Sequence, residues 1–579
     1  MNSRSARHLH GERGITLIDT IVGTALMLTV FLGITAAFQL SLDVVTNNRV
    51  RAGAIALLNE RMEYLRSLSY TQIGVEGGIP AGIVPQTETV SWNGTDYTRR
   101  TSVLYSDDSA DGLGVADQNG IIADYKTIRV EVSWTSRQGE RSIVLVGRVS
   151  PFGVESAVSG GILTIQVVNA SAVPVSDAQV DIVNTETSPA INIRTYTNTN
   201  GLVSFIGAPA ASNYQITVSR PGYSTAQTYS DTAENPDPNP RHLSVVDNET
   251  TSSTFSIDVT STKSIETYKL FELDDFVDSF NTSQFISATS SVDVVGGEAV
   301  LAGGAPYSSP GSIRSTTITP STLIGWDSLS WQGTEPAQTA ITLHVYDSSN
   351  TLIPDSELPG NSVGFTSSPV SIAGISASTY PSLRIGADLS TDDTNETPIL
   401  QSWDVSYRYG PVMLPDLPFT MHGLKTIGNS PTIYKYDEDQ SSGSGASITL
   451  LEVEWDTYLL SVATTTGYNL AESCDTQPEV LAPGTTQTTK LYVLPYTPNT
   501  LLVDVRGDDG ALITDASVRV YDANYDETFT TSSCGQIFFD NLTAGTYSII
   551  VSKSGYQSYS NSTLNISGAS KTSVILSAL

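Results

Sequence analysis

Histidine, cysteine and basic residues are all scarce in this chain. Its 579 residues include five histidines and two cysteines, and 29 Lys and Arg stand against 60 Asp and Glu, for a net charge of −31. So acidic a surface repels nucleic acid and anionic headgroups, which excludes a nucleic-acid partner. Two cysteines are too few for a disulfide scaffold. Cys474 and Cys534 either pair in an exported chain or are two separate buried thiols.

Motifs that carry catalysis are missing as well. Only three histidines follow residue 14, at His242, His344 and His422, and no two have a short metal-ligand spacing. The sequence has no phosphate-binding glycine loop, dinucleotide fingerprint or nucleophile elbow. We therefore predict that the chain is not an enzyme.

What the chain does have is one long apolar run, residues 15–38, with no Lys or Arg in it. As a helix it would measure about 36 Å, enough to cross a hydrocarbon core of about 30 Å. Three arginines precede it and the next basic residue is Arg49, so the positive-inside rule exports everything that follows. Asp19, near the start of the run, costs about 2.5–3.5 kcal/mol in a membrane and calls for a compensating partner.

Residues 14–19 read Gly-Ile-Thr-Leu-Ile-Asp, which resembles the processing site of type IV prepilins, usually Gly-Phe-Thr-Leu-Ile-Glu. The resemblance implies that prepilin peptidase cleaves after Gly14 and removes residues 1–14 as a leader. Ile15 would then be the N-methylated first residue. Asp19, in place of the family's glutamate, would compensate the terminal amine of a neighbouring pilin during assembly. An ordinary secretory signal and a plain membrane anchor are the alternatives.

Helical periodicity continues beyond the membrane to about Tyr70, with Ile55, Leu58, Met62 and Leu65 on one face. Alternating strands follow, up to about Pro151. We expect residues 39–152 to form a pilin-like head of helix and antiparallel sheet.

The head contains a segment rich in acidic side chains, whose oxygens suit Ca²⁺. It does not have the spacing of an EF-hand, and a solvated acidic turn is the plainer interpretation. Calcium is therefore a tentative cofactor, and its candidate ligands are Asp107, Asp108, Asp111, Asp117, Asn119 and Asp124.

Beyond residue 160 the composition is typical of serial β-sandwiches, and an internal repeat makes this more specific. Residues 175–182 resemble 513–520, and 214–223 resemble 547–556, with a weaker third copy ending at Tyr468. The repeat resembles the carboxypeptidase regulatory-like fold, a transthyretin-type sandwich. The predicted domains are sandwiches of this type at 160–262, 412–497 (the weak copy) and 498–579, separated by a jelly-roll or laminin-G-like sandwich at 263–411.

The predicted fold is thus a long helix with a small sheet, followed by all-β sandwiches. Together with the resemblance, it implies a minor or tip subunit of a type IV pilus-like filament. Such a subunit sits in the inner membrane before assembly and at the cell surface afterwards. There it would present its sandwiches to surface glycans or proteins. By analogy alone 263–411 is the candidate carbohydrate-binding module, and a structural spacer is its plainer interpretation. A membrane-anchored adhesin that never polymerises and a pseudopilin of a type II secretion system are the alternatives.

Overall fold

The computed structural model describes residues 17–108, 110, 112, 121–136, 139–152 and 158–579. For residues 18–20 it describes the backbone only. The chain divides into two compact units, Met1–Asp258 with Ile427–Pro431, and Val259–Thr426 with Thr432–Leu579.

The first unit begins with one helix, α1 (Leu17–Ser67), followed by a 3-10 turn at Tyr70–Gln72. The helix ends three residues before the predicted Tyr70. Its last third packs on a four-stranded antiparallel meander in the order β1-β2-β3-β4. Ile55 is 42% exposed, so its predicted place on the buried face is wrong, and Ala54 and Leu57 are buried in that core instead. The four strands are β1 Thr87–Trp92, β2 Thr95–Ser106, β3 Tyr125–Ser136 and β4 Gly139–Val149.

The first sandwich has two sheets, in the orders β12-β5-β8 and β10-β9-β6-β7, with β11 added to β9. Its first and last strands, β5 and β12, run parallel. Its strands are β5 Gly161–Val168, β6 Gln179–Asn184, β7 Ile191–Tyr196, β8 Leu202–Ala208, β9 Ala211–Ser219, β10 Ala226–Gln227, β11 Leu243–Val245 and β12 Thr250–Ser256.

The second unit begins with a strand that the sequence interpretation assigned to the wrong neighbours. Strand β13 (Ser261–Lys269) pairs in parallel with β33 (Thr486–Pro495) and antiparallel with β29 (Ser447–Val453). Ile265, at its centre, is buried in the core that these strands share. The predicted boundary at 262/263 is therefore wrong, whereas the one at 411/412 fits the structure, because β23 ends at Tyr409 and β24, from Val412, pairs with β13. Residues 261–269 are the first strand of the third sandwich, and the jelly-roll-like sandwich is an insertion after that strand.

The inserted sandwich packs a six-stranded sheet, in which β23 is central, on a four-stranded sheet in the order β15-β18-β22-β20. Trp326 and Trp403 lie fully buried in its core. Its strands are β14 Glu272–Asp278, β15 Ile286–Ser290, β16 Val292–Val295, β17 Glu298–Leu301, β18 Gly311–Ser315, β19 Leu323–Thr334, β20 Thr339–Asp347, β21 Val370–Ser371, β22 Leu383–Thr391 and β23 Ile399–Tyr409.

The third sandwich consists of β13 and the strands that follow the insertion. Its first sheet has the order β24-β13-β33-β31, and β29 also pairs with β13. Its second sheet has the order β28-β25-β30-β32, and β26-β27 is a separate hairpin. The remaining elements are β24 Val412–Met413, β25 Pro418–Gly423, β26 Thr426–Asn429, β27 Thr432–Tyr434, β28 Asp437–Ser441, β30 Asp456–Ser461, a 3-10 turn at Thr464–Thr466, β31 Tyr468–Cys474 and β32 Glu479–Leu481.

The C-terminal sandwich has sheets in the orders β37-β34-β40 and β36-β35-β38-β39, and its first and last strands again run parallel. Its strands are β34 Thr500–Gly507, β35 Ser517–Tyr521, β36 Asp526–Thr530, β37 Gln536–Phe539, β38 Gly545–Ser552, β39 Tyr559–Ile566 and β40 Ala569–Leu576.

The first, third and C-terminal sandwiches share one topology, which explains the internal repeat. In each, the first strand lies between a parallel last strand and an antiparallel neighbour, and the second sheet has an equivalent order. The tyrosine common to the copies is buried at the equivalent strand in all three, as Tyr214, Tyr458 and Tyr547. The turn glycines Gly201 and Gly535 have φ of +70° and +64°, which only glycine adopts freely.

Candidate functional site

The N-terminal part of α1, up to Val45, exposes most of its described apolar side chains. Leu26, Phe31 and Phe38 are 63%, 68% and 65% exposed. Within Ile21–Ser67 the most apolar stretch has a mean hydropathy of 2.2 and none of it is buried, so this helix is long and apolar enough to span a membrane. Apolar surface on this scale marks a membrane or protein contact.

The polar residues of this apolar stretch have their hydroxyls satisfied within the helix. Thr24, Thr29 and Thr35 each donate to a backbone carbonyl one turn earlier, at 2.9, 3.0 and 2.8 Å. A hydroxyl bonded in this way needs no water, as a lipid or helix-packed environment requires.

The described helix begins just inside the proposed processing site. Gly14 and Ile15 lie outside the described residues. Asp19 lies in the first described turn of α1, and its side chain is outside the description. Cleavage, N-methylation and the pairing of Asp19 therefore stay predictions.

Where α1 meets the sheet, a glycine allows close contact. Tyr97 lies against Gly53 and donates a hydrogen bond to the carbonyl of Val50, at 2.9 Å. A β-carbon at Gly53 would lie 2.6 Å from the Tyr97 hydroxyl oxygen. The tyrosine thus fastens the helix at the point where its exposed apolar part ends.

A buried charge cluster also joins the helix to the sheet, and the sequence interpretation missed it. Glu88 of β1 accepts from Nε of Arg99 at 2.8 Å and pairs with Arg61 of α1. The side chains of the two arginines are 7% and 6% exposed. Burial, followed by the repulsion of Arg99, lowers the pKa of Arg61.

A buried lysine holds the segment that follows the helix. Lys126 of β3 donates to the carbonyls of Tyr70 and Ile73, at 2.8 and 2.6 Å. Burial lowers its pKa to about 8. Its ammonium lies 4.5 Å from the centre of the Tyr70 ring.

Two carboxylates in the described part of the predicted calcium segment accept local backbone hydrogen bonds. Asp124 accepts from the backbone N–H of Asp108, and Asp108 accepts from that of Ala110 at 3.1 Å. Asp107 lies beside them, whereas Asp111, Asp117 and Asn119 lie outside the described residues. Calcium binding stays a prediction.

The head sheet contacts the first sandwich through a small polar junction. The guanidinium carbon of Arg129 lies 3.6 Å from the centre of the Tyr196 ring, and the Tyr196 hydroxyl donates to Glu131 at 2.8 Å. Burial is the main reason that the pKa of Tyr196 rises to about 12. Beside this junction lies a cleft of about 410 Å³, lined by Gln86, Thr87, Arg100, Asp181, Val183, Asn192, Arg194 and Thr217.

The two cysteines are bonded to each other in the structure, with their Cα atoms 5.5 Å apart. The bond joins the end of β31 in the third sandwich to the turn before β37 in the C-terminal one. Next to it, Glu472 accepts from the Ser532 hydroxyl at 2.6 Å, and burial raises its pKa. Glu472, Cys474 and Cys534 are close enough to surround a metal ion, but the bonded sulfurs supply no free thiolate for one.

The three histidines lie in different sandwiches and form no common site. His242 contacts the hydroxyl of Thr228 at 2.8 Å, and the ring centre of His422 lies 4.9 Å from that of Tyr434. His344, on the inserted sandwich, contacts the carbonyl of Asn361 at 2.7 Å. Glycan binding by the inserted sandwich and the lack of enzymatic activity both stay predictions.

Comparison with known proteins assigns a family to one part of the chain. None of the curated proteins compared with the chain matches it. Among solved structures, the Bacillus anthracis TIE protein is 10% identical over 85% of this chain and 74% of its own, with a TM-score of 0.16. GBS52, the minor pilin of Streptococcus agalactiae, is 14% identical over 29% of this chain and 87% of its own, with a TM-score of 0.12. BcpA, the major pilin subunit of Bacillus cereus, is 8% identical over 72% of this chain and 100% of its own, with a TM-score of 0.13.

At these TM-scores the likeness supports no conclusion about the function of this chain. The family model of the carboxypeptidase regulatory-like domain, by contrast, matches residues 500–577. These residues include every strand of the C-terminal sandwich, from β34 to β40. The C-terminal sandwich is therefore a carboxypeptidase regulatory-like domain, carried on a chain with an exposed apolar helix near its N-terminus.

Proposed function

We propose that this protein is a pilin-like subunit that prepilin peptidase cleaves between Gly14 and Ile15. The mature chain, N-methylated at Ile15, joins a type IV pilus-like filament through α1. It serves there as a minor or tip subunit whose β-sandwiches contact surface glycans or proteins.

The observation that carries the proposal is the division of α1 into two parts with different surroundings. The apolar side chains described between Ile21 and Val45 are exposed, whereas Ala54, Leu57 and Leu65 are buried against the sheet. A plain anchor needs only the first part. A helix whose second part is also packed in the core of a folded head suits a filament subunit. In such a filament the helices of neighbouring subunits pack together and the heads lie on the outside.

Asp19 supplies the second support, because an acid near the start of an apolar helix is costly unless a cation compensates it. Cleavage after Gly14 would create an amine on every neighbouring subunit. The size of the exported part favours a minor or tip role, since about 430 residues beyond the head would crowd a helical lattice.

The test is to identify the N-terminus of the full chain recovered from cells with and without prepilin peptidase. We expect a methylated Ile15 in the first case and an intact leader in the second. A chain that keeps residues 1–14 in the presence of the peptidase contradicts the proposal and favours the adhesin that never polymerises.

A pair of substitutions tests assembly separately from cleavage. Asp19→Ala should be cleaved normally but be depleted from sheared filaments, whereas Asp19→Glu should be retained. Asp43→Asn, in the same helix, is the matched control and should assemble like the parent chain. Normal incorporation of Asp19→Ala would remove the role proposed for this carboxylate. A secretion defect without any loss of adhesion, on deletion of the gene, would favour the pseudopilin alternative.

A further inference from the structure

The third sandwich has a lysine in its interior. The residues of β13 alternate, with Ser261, Lys263, Ile265 and Thr267 buried. The Lys263 side chain has no exposed surface. An amine so completely removed from water needs either a compensating charge or a chemical use.

Three side chains from the last two strands of this sandwich surround the amine. The Lys263 Nζ atom lies 2.5 Å from Oε1 of Glu479 and 3.1 Å from Oε1 of Gln487. It also donates to the Thr489 hydroxyl at 2.5 Å, and that hydroxyl donates to the other oxygen of Glu479 at 2.6 Å. Lys263 and Gln487 are direct partners in the parallel pairing of β13 and β33. The cluster therefore brings together an amine, a carboxamide and a carboxylate.

The electrostatics of the cluster favour a reactive amine. Burial lowers the pKa of Lys263, against the opposing effect of the Glu479 carboxylate, and so favours the neutral amine, which is the nucleophilic form. On the far side of the carboxamide, Nε2 of Gln487 donates to the exposed carboxylate of Asp475 at 2.8 Å. A group leaving from that nitrogen would have an anion beside it and a route to solvent.

We propose that Lys263 and Gln487 condense to an intramolecular amide that joins β13 covalently to β33. Glu479 removes a proton from the Lys263 ammonium, and the free amine attacks Cδ of Gln487. The Nζ–Cδ bond forms and the Cδ–Nε2 bond breaks. The departing nitrogen takes one proton from Nζ and one from Glu479 and leaves as ammonium, which restores the carboxylate. The step needs no oxidant, metal or nucleotide.

Peptide mapping of the full chain, purified in detergent and digested with trypsin after reduction and alkylation, tests the proposal. We expect the peptides that contain Lys263 and Gln487 to be joined, with a mass lower by one ammonia than their sum. Trypsin should not cut after Lys263. Complete cleavage there, with Gln487 unmodified, overturns the proposal and leaves a buried ion pair. A link from Lys263 to Glu479 with loss of water also overturns it, since the acceptor would be wrong.

Substitutions assign the roles within the cluster. Lys263→Arg keeps the charge and Gln487→Met keeps the length, and both should abolish the joined peptide. Glu479→Gln should strongly reduce its yield, and an unchanged yield would contradict the role given to Glu479. Lys490→Arg is the matched control, because Lys490 lies on the same strand β33 with its side chain 46% exposed. It should leave the joined peptide unchanged.

Discussion

At the scale of single residues, the inward positions of alternating strands hold two lysines. Lys126 on β3 and Lys263 on β13 both lie in register with the apolar residues of their strands and are buried. Burial lowers the pKa of both. A lysine at an inward position of an alternating strand is thus a sequence signal for a buried amine.

The depressed pKa of Lys126 predicts a pH dependence of the stability of the head. Between a folded-state pKa of about 8 and its ordinary value of 10.5, the unfolded chain binds more protons than the folded one. The free energy of unfolding should therefore rise with pH across this window, by about 2 kcal/mol between pH 8 and 9.5. Hydrogen exchange of β2 and β3, corrected for intrinsic rates, would measure this. Lys126→Met should lose the rise, and an equal rise in the variant would assign it to other groups.

Gly53 predicts a second effect at this scale. Alanine normally improves a helix by about 1 kcal/mol over glycine, but here its methyl would lie 2.6 Å from the Tyr97 hydroxyl oxygen. Gly53→Ala should therefore destabilise the head. The double variant Gly53→Ala with Tyr97→Phe should lose less stability than the sum of the two single losses. The reason is that Tyr97→Phe removes the hydroxyl oxygen that lies closest to the new methyl group. Thermal unfolding of the four chains measures this, and simple additivity would contradict the proposed contact.

At the scale of elements, local patterns were enough to predict the helix, the small antiparallel sheet and the sandwiches. Alternation and turn glycines are encoded within a few residues, so β1–β4 and the repeat could be found. The place of β13 could not, because its partner is 224 residues away and no local pattern specifies it. The periodicity of α1 does include Arg61, in step with Ala54, Leu57 and Leu65. The buried cluster was missed because arginine on a helix is usually solvated.

That cluster predicts how α1 is held on the sheet. Glu88→Gln removes the carboxylate that compensates the buried charges of Arg61 and Arg99. The packing of α1 on the sheet should therefore weaken by about 3–5 kcal/mol. Hydrogen exchange of the last third of α1 should accelerate accordingly. Glu63→Gln is the matched control, since Glu63 pairs with Arg66 at the surface and should contribute less than about 1 kcal/mol. Similar exchange in both variants would mean that the cluster does not hold the helix.

At the scale of the whole molecule, the disulfide joins the third sandwich to the C-terminal one, which are two separate copies of the internal repeat. The cysteines are 60 residues apart, and closing such a loop typically adds about 2–4 kcal/mol. The double variant Cys474→Ser and Cys534→Ser should make the C-terminal sandwich more sensitive to limited proteolysis. Ser533→Ala, at an exposed neighbouring position, is the control. Unchanged proteolysis in the double variant would show that the non-covalent contacts, such as Gln536 with Ser473, hold the two sandwiches by themselves.

The insertion after β13 sets the route by which tension would travel along this chain. Along the covalent backbone, a pull on the inserted sandwich that is resisted at the N-terminal helix passes through β13 alone among the strands of the third sandwich. The rest of that sandwich and the whole C-terminal domain follow the insertion in the chain and form a side branch. They would feel the pull through the strands bonded to β13 and through the β26-β27 hairpin, where Ile427 and Asn429 are hydrogen-bonded to the backbone of Asn239 and Asp237. The backbone path of a stretched chain thus bypasses most of the third sandwich and all of the C-terminal one, which bear load only through contacts outside that path.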